Sequence, residues 1–129
     1  MDSVNILTFK WGTLYSAEYV NRIYRGVKAH LNRPFRFVCV TDDPTGFADG
    51  IDARPLPPRP PELKKTYTYG DGWPNIYIKL CVFRKGFADL EGPTLFLDID
   101  QIVTGSLDRF FDYKPGKFCI IRNWVEWRK

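Results

Sequence analysis

The first forty residues constrain the fold more than any other stretch. Val4-Asn5-Ile6-Leu7-Thr8-Phe9 is short, apolar and β-branched, which predicts a buried strand. From Ser16 to Leu31 the residues Val20, Ile23, Tyr24, Val27 and Leu31 recur at helical spacing. Ser16 is placed to cap that helix, Glu18 suits its first turn, and Asn32 and Pro34 close it. Phe35-Arg36-Phe37-Val38-Cys39-Val40 predicts a second strand, ending at the turn sequence Thr41-Asp42-Asp43-Pro44. Strand, helix and strand in that order imply a parallel crossover, and so an α/β protein with a mostly parallel, Rossmann-like sheet.

The remaining segments extend this pattern. Ile51 to Leu56 predicts a third short strand. Pro55, Pro57, Pro58, Pro60 and Pro61 then impose a stiff, extended surface loop, and Lys64 to Gly72 reads as irregular. Pro74 suits the first turn of a helix whose apolar stripe is Ile76, Leu80, Phe83 and Phe87, with Lys79 off that stripe, as far as Gly92-Pro93. A strand is expected over Leu95 to Val103, a short helical turn capped by Ser106 over Ser106 to Phe111, and a further strand over Lys117 to Arg122. No internal repeat divides the chain, so residues 1–129 are expected to form one domain.

Composition narrows the class. At 129 residues and 44% hydrophobic, the chain can bury a substantial core. The formal charge of +4, with both signs interspersed, suits anionic small molecules and is too modest and too scattered to argue for nucleic acid. No stretch approaches the roughly 20 apolar residues of a membrane span, and no basic region precedes an apolar one at the amino terminus. The expectation is a soluble, cytoplasmic protein. Cys39, Cys81 and Cys119 are odd in number, widely spaced and set in apolar segments, which predicts buried reduced thiols. His30, late in the first helix, is expected at the surface. Neither Gly-x-Gly-x-x-Gly nor a P-loop occurs, so dinucleotide and P-loop sites are disfavoured.

The chemistry concentrates in Leu95-Phe96-Leu97-Asp98-Ile99-Asp100-Gln101-Ile102-Val103, an apolar run interrupted by two carboxylates one residue apart. In a strand, Leu95, Leu97 and Ile99 face one way and Phe96, Asp98 and Asp100 the other, so the two acids share a face. Desolvating two neighbouring carboxylates is costly without a cation over them. Hard oxygen ligands favour magnesium, calcium or manganese. A generic Asp-x-Asp also ends an ordinary strand facing water. The apolar context favours the carboxyl end of a covered strand, where open α/β sheets bind ligands.

The wider stretch Leu97-Asp98-Ile99-Asp100-Gln101-Ile102-Val103-Thr104-Gly105-Ser106-Leu107-Asp108-Arg109-Phe110-Phe111 resembles the nucleotide-sugar glycosyltransferases of the A-type fold. It is similar to family 8 and its bacterial relatives, in which Leu-Asp-x-Asp-x-x-Val-x-Gly-x-Leu-Asp-x-Phe/Leu-Phe recurs. The likeness is strongest from Thr94 to Phe111 and weaker over Asn5 to Tyr24 and Phe37 to Asp43. It implies a three-layer αβα sandwich in which a divalent metal, Mn2+ or Mg2+, is held by Asp98 and Asp100 on the diphosphate of a nucleotide sugar, UDP-linked by expectation. The donor contacts it implies are Thr8, Phe9, Lys10, Trp11, Gly12, Tyr15, Asp42, Lys79, Asp98, Ile99 and Asp100. Within that set Lys10 suits phosphate and Tyr15 suits stacking on a base.

The resemblance covers the family's amino-terminal, donor-binding half. The acceptor, a glycan, lipid or protein, and the third metal ligand belong to the other half. An apolar end from Phe118 to Trp127 with nothing following to cover it is expected to self-associate. Two alternatives remain open at this point. Haloacid-dehalogenase-type phosphatases also run an apolar strand into Asp-x-Asp, which would make Asp98 a nucleophile, and the chain could equally be a non-catalytic nucleotide-binding fragment.

Overall fold

The computed structural model describes residues 2–61 and 73–121. Four strands make one parallel sheet: β1 (Val4–Lys10), β2 (Phe35–Thr41), β3 (Ile51–Pro55) and β4 (Thr94–Phe96), in the spatial order β3-β2-β1-β4. An α/β fold with a parallel sheet is therefore present. Helix α1 (Ala17–His30) makes the crossover from β1 to β2, and a five-residue α2 (Asp108–Asp112) lies near the end of the described chain. Ser16 occupies the cap position of α1 without a side-chain hydrogen bond; its carbonyl accepts the Tyr19 N–H instead.

All seven residues of β1 are buried, as a central strand covered on both faces requires. On one face Val4 and Ile6 pack with Phe37, Cys39 and the apolar stripe Val20, Ile23, Val27 and Leu31 of α1. On the other, Leu7 and Phe9 pack with Val38, Val40 and Ile78. Burial pushes the Cys39 thiol up to about 12, with the nearby Lys10 charge acting against it. Cys39 and Cys81 are buried as expected, whereas Cys119 is exposed in a stretch, residues 118–121, that forms no strand.

Three sequence expectations are corrected. The segment after Pro74 is not an α-helix: Ile76–Phe83 is a 3-10 helix. With about three residues per turn, side chains at i and i+3 eclipse, so Ile78 and Cys81 turn inward while Ile76, Leu80 and Phe83, the stripe expected at α spacing, stand exposed. The strand expected over Leu95 to Val103 ends at Phe96. It pairs only with Asn5–Leu7 of β1, and the Leu97 N–H makes one further bond to the Leu7 carbonyl before the chain turns. The strand expected over Lys117 to Arg122 is absent from residues 117–121, where Phe118, Ile120 and Ile121 are exposed. Residues 62–72, expected to be irregular, and residues 122–129 lie outside the described residues.

The chain following the two carboxylates is tied back to α1. Val103 packs on Gly26, the Leu107 N–H donates to the His30 carbonyl, and Leu107 is buried in the α1 cluster. His30 is thus half-buried and held through its backbone, not simply at the surface. Asp108 accepts from the Asn32 N–H and the Arg33 Nε, and the Ser106 hydroxyl accepts the N–H of Asp108, close to its expected capping role.

Candidate functional site

Strand order decides where a site lies. From β1 the chain proceeds outward through β2 to β3 and then returns to place β4 on the opposite side of β1. The carboxyl ends of β1 and β4 therefore flank a topological switch point, the position at which open parallel sheets bind ligands. A cavity of about 350 Å³ occupies it. Phe9, Lys10 and Trp11 line it from the end of β1, Leu14 and Tyr15 from the approach to α1, Ile76 and Lys79 from the 3-10 helix, and Phe96, Asp98, Ile99 and Asp100 from the end of β4.

The Asp-x-Asp segment forms a turn. The Gln101 backbone N–H donates to the Asp98 carbonyl at 3.1 Å, and the Gln101 side-chain oxygen accepts the Asp98 N–H at 2.7 Å, so one residue closes the turn with its backbone in one direction and its side chain in the other. The alternation of faces largely survives the end of the strand: Leu95 and Leu97 pack against the α1 cluster, Phe96, Asp98 and Asp100 border the cavity, and Ile99 packs on the α1 cluster while also reaching the cavity. The carboxylates are not sunk in a greasy strand, however, since the Asp98 side chain is 45% exposed and Asp100 is exposed. The desolvation argument for a metal loses force accordingly. The cation over Asp98 is Lys79, whose Nζ lies 2.6 Å from the Asp98 Oδ1 and 5.4 Å from the centre of the Phe96 ring. Eclipsing in the 3-10 helix explains its aim, because Ile76 and Lys79, three residues apart, both reach the cavity.

Lys10 is 8% exposed and makes no ion pair or hydrogen bond among the described residues, though its charge is felt at Cys39 and helps hold the Asp43 carboxyl below its usual range, behind the larger effect of Thr45. Phe9 and Phe96 form the apolar floor, with ring centres 5.9 Å apart. Tyr15 stands edge-on to Tyr19 at 4.9 Å, and Arg22 lies over the Tyr19 ring. Trp11 also packs against the cluster of Leu7 and Phe9.

Of the donor-binding candidates, the structure gathers Phe9, Lys10, Trp11, Tyr15, Lys79, Asp98, Ile99 and Asp100 around this one cavity. Thr8 is not among them. Its side chain is fully buried, in register with Cys39, and its hydroxyl has no hydrogen-bond partner among the described residues. Asp42 stands outside and accepts the Gly12 N–H at 2.9 Å, bracing the loop that carries Trp11. Sequence reasoning missed Leu14 and Ile76 in the lining and Gln101 as the brace. Gln101 was findable, since a glutamine three residues beyond the first acid can bond back to the backbone as in a capping box.

A divalent ion can be tested against these donors. Asp98 and Asp100 offer hard carboxylate oxygens at one cavity, and Asp100 has no hydrogen bond or ion pair among the described residues. Among the described residues no group of three or more His, Cys, Asp or Glu sits together as a preformed cage. One or two carboxylates with ligand phosphates is the ordinary magnesium arrangement, so the donor set fits a metal that arrives with a diphosphate. Comparison with protein-family models, curated proteins and solved structures found no match.

Proposed function

We propose that the chain is the donor-nucleotide domain of a metal-dependent glycosyltransferase of the A-type, three-layer fold, binding a nucleotide-diphosphate sugar for transfer to a glycan, lipid or protein acceptor. One observation carries this reading. A cavity at the β1/β4 switch point combines aromatic walls, two lysines and the two acids of the Asp-x-Asp turn. Flat aromatic surfaces suit a base, ammonium groups suit phosphate, and carboxylates suit the cation between them.

In this reading Asp98 and Asp100 would hold Mn2+ or Mg2+, which when bound supplies Lewis-acid stabilisation of charge on the departing diphosphate. The chain's own residues do the rest. Tyr15 and Trp11 bracket the base, Lys10 and Lys79 neutralise phosphate oxygens, and Phe9 and Phe96 exclude water from beneath the diphosphate. Gln101 keeps the two carboxylates presented on one turn, and Asp42 holds the Trp11 loop. Three free cysteines accord with a cytoplasmic setting. No described helix is long and apolar enough to cross a membrane. The exposed apolar side chains of Phe118, Ile120 and Ile121 support self-association through this end.

The test is calorimetry with UDP and manganese. Binding is expected with the metal present, and Asp100→Asn should abolish it. Metal-independent UDP binding of equal strength would remove the role given to Asp98 and Asp100. Thermal stabilisation by beryllofluoride together with indifference to UDP and manganese would favour a phosphatase with Asp98 as nucleophile.

A further inference from the structure

We propose that Lys79 is a built-in competitor of the divalent cation at Asp98, so that metal entry is an ion exchange. The ammonium leaves the carboxylate and turns to the anionic ligand that arrives with the metal. This inference rests on the reading of the cavity as a metal–diphosphate site.

The geometry sets the two cations in competition for the same Asp98 oxygen. Lys79 Nζ already holds Oδ1 at 2.6 Å. A magnesium- or manganese-sized ion on the same oxygen would sit about 2.1 Å away, which puts the two positive centres at most about 5 Å apart. By Coulomb's law the repulsion from a doubly charged ion at that distance exceeds the attraction to a singly charged carboxylate at 2.6 Å. The pair is also only moderately shielded, with side chains 36% and 45% exposed, so water and salt weaken it and the lysine can leave. Its destination is close at hand. Lys79 lines the cavity from a 3-10 turn, its ammonium is near the Phe96 ring, and its flexible stem lets the charge swing without moving the helix.

Two consequences follow for binding. Free metal meets an occupied carboxylate and binds weakly. Metal accompanied by a diphosphate offers the displaced ammonium a new partner, so the two ligands reinforce each other, and the coupling is reciprocal. A lysine that merely supports the fold would weaken both titrations together. An exchanging lysine moves them in opposite directions.

The experiment uses the full chain and titrates it calorimetrically with MnCl2 alone and with UDP in excess manganese, for the wild type, Lys79→Met, Lys79→Gln and Lys79→Arg, with far-UV circular dichroism to check folding. The neutral variants are expected to bind Mn2+ alone about five- to tenfold more tightly, the scale set by loss of one screened ion pair and one like charge. They should bind UDP with manganese about tenfold more weakly, as loss of a charged hydrogen bond implies. Lys79→Arg should keep the weak Mn2+ binding of the wild type. Unchanged or weaker Mn2+ binding by both neutral variants, with wild-type Mn2+ and UDP binding intact, would overturn the exchange and leave the metal–diphosphate reading standing. Tighter Mn2+ binding without loss of UDP would overturn the transfer of the ammonium to the anion. Failure of the neutral variants to bind Mn2+ alone, with UDP and manganese still bound by the wild type, would overturn the exchange, and failure of the wild type and the neutral variants alike to bind UDP with manganese would overturn both this inference and the reading beneath it.

Discussion

Gly26 offers the sharpest test of how the site is held in place. It lies within α1, where glycine costs about 0.5–1 kcal/mol relative to alanine. A Cβ built there would fall 2.9 Å from the Val103 Cβ and 3.3 Å from its Cγ2. Carbon atoms prefer about 3.5–4.0 Å, and a Cβ cannot rotate away, so the 101–104 segment itself must shift. Overpacking of this kind costs about 1–3 kcal/mol. Set against the helix gain, Gly26→Ala is expected to destabilise the protein by about 0.5–2 kcal/mol, measured as a fall in the urea midpoint at constant slope. Transposing the glycine tests the cause: in the Gly26→Ala/Val103→Gly double variant the penalty should shrink, with a favourable coupling of about 1 kcal/mol or more. Because Val103 follows the Asp98 turn by five residues, Gly26→Ala should also weaken binding of UDP with manganese. A single variant more stable by the helix increment, with effects that simply add in the double, would refute the argument that Val103 requires glycine at this position.

Acid should loosen two ion-pair clamps. Burial by itself would raise Asp52, but Arg36 and Arg54 outweigh it and hold the carboxyl below its usual range. The Asn32 N–H, and after it Arg33, hold Asp108 below its usual range. Both folded values lie under the unfolded value of about 3.9, so their stabilisation is complete above that pH and lost as pH falls through the folded values. Urea midpoints should therefore be level down to about pH 5 and fall steeply below about pH 4, with a shallower fall in Asp108→Asn; an identical acid slope in that variant would exclude Asp108 as a contributor. Light scattering at tens of micromolar, the range where exposed apolar surface drives association, should show species larger than a monomer that Ile120→Lys/Ile121→Lys reduces, and a monodisperse wild-type monomer would count against self-association through this end.

What the sequence determined by itself was local and periodic. The apolar runs of β1 and β2 and the 3.6-residue stripe of α1 were legible because both faces of those strands and one face of that helix are buried, so hydrophobicity reports their geometry directly. Alternation also placed Phe96, Asp98 and Asp100 on one side, and that held past the end of the strand because Leu95, Leu97 and Ile99 remain anchored on α1. Tertiary structure decided the rest. Whether Ile76–Phe83 winds as an α- or a 3-10 helix was hidden because its residues are apolar nearly all round, so either spacing finds a stripe; packing of Ile78 and Cys81 chose the tighter turn and thereby aimed Lys79 at Asp98. Strand order is a property of pairing between distant segments, and no local pattern encodes that β4 returns to the free side of β1. Yet that order is what sets the carboxyl ends of β1 and β4 around one cavity, where the 3-10 helix meets Asp98 with a lysine although hydrophobic patterning alone had called for a metal.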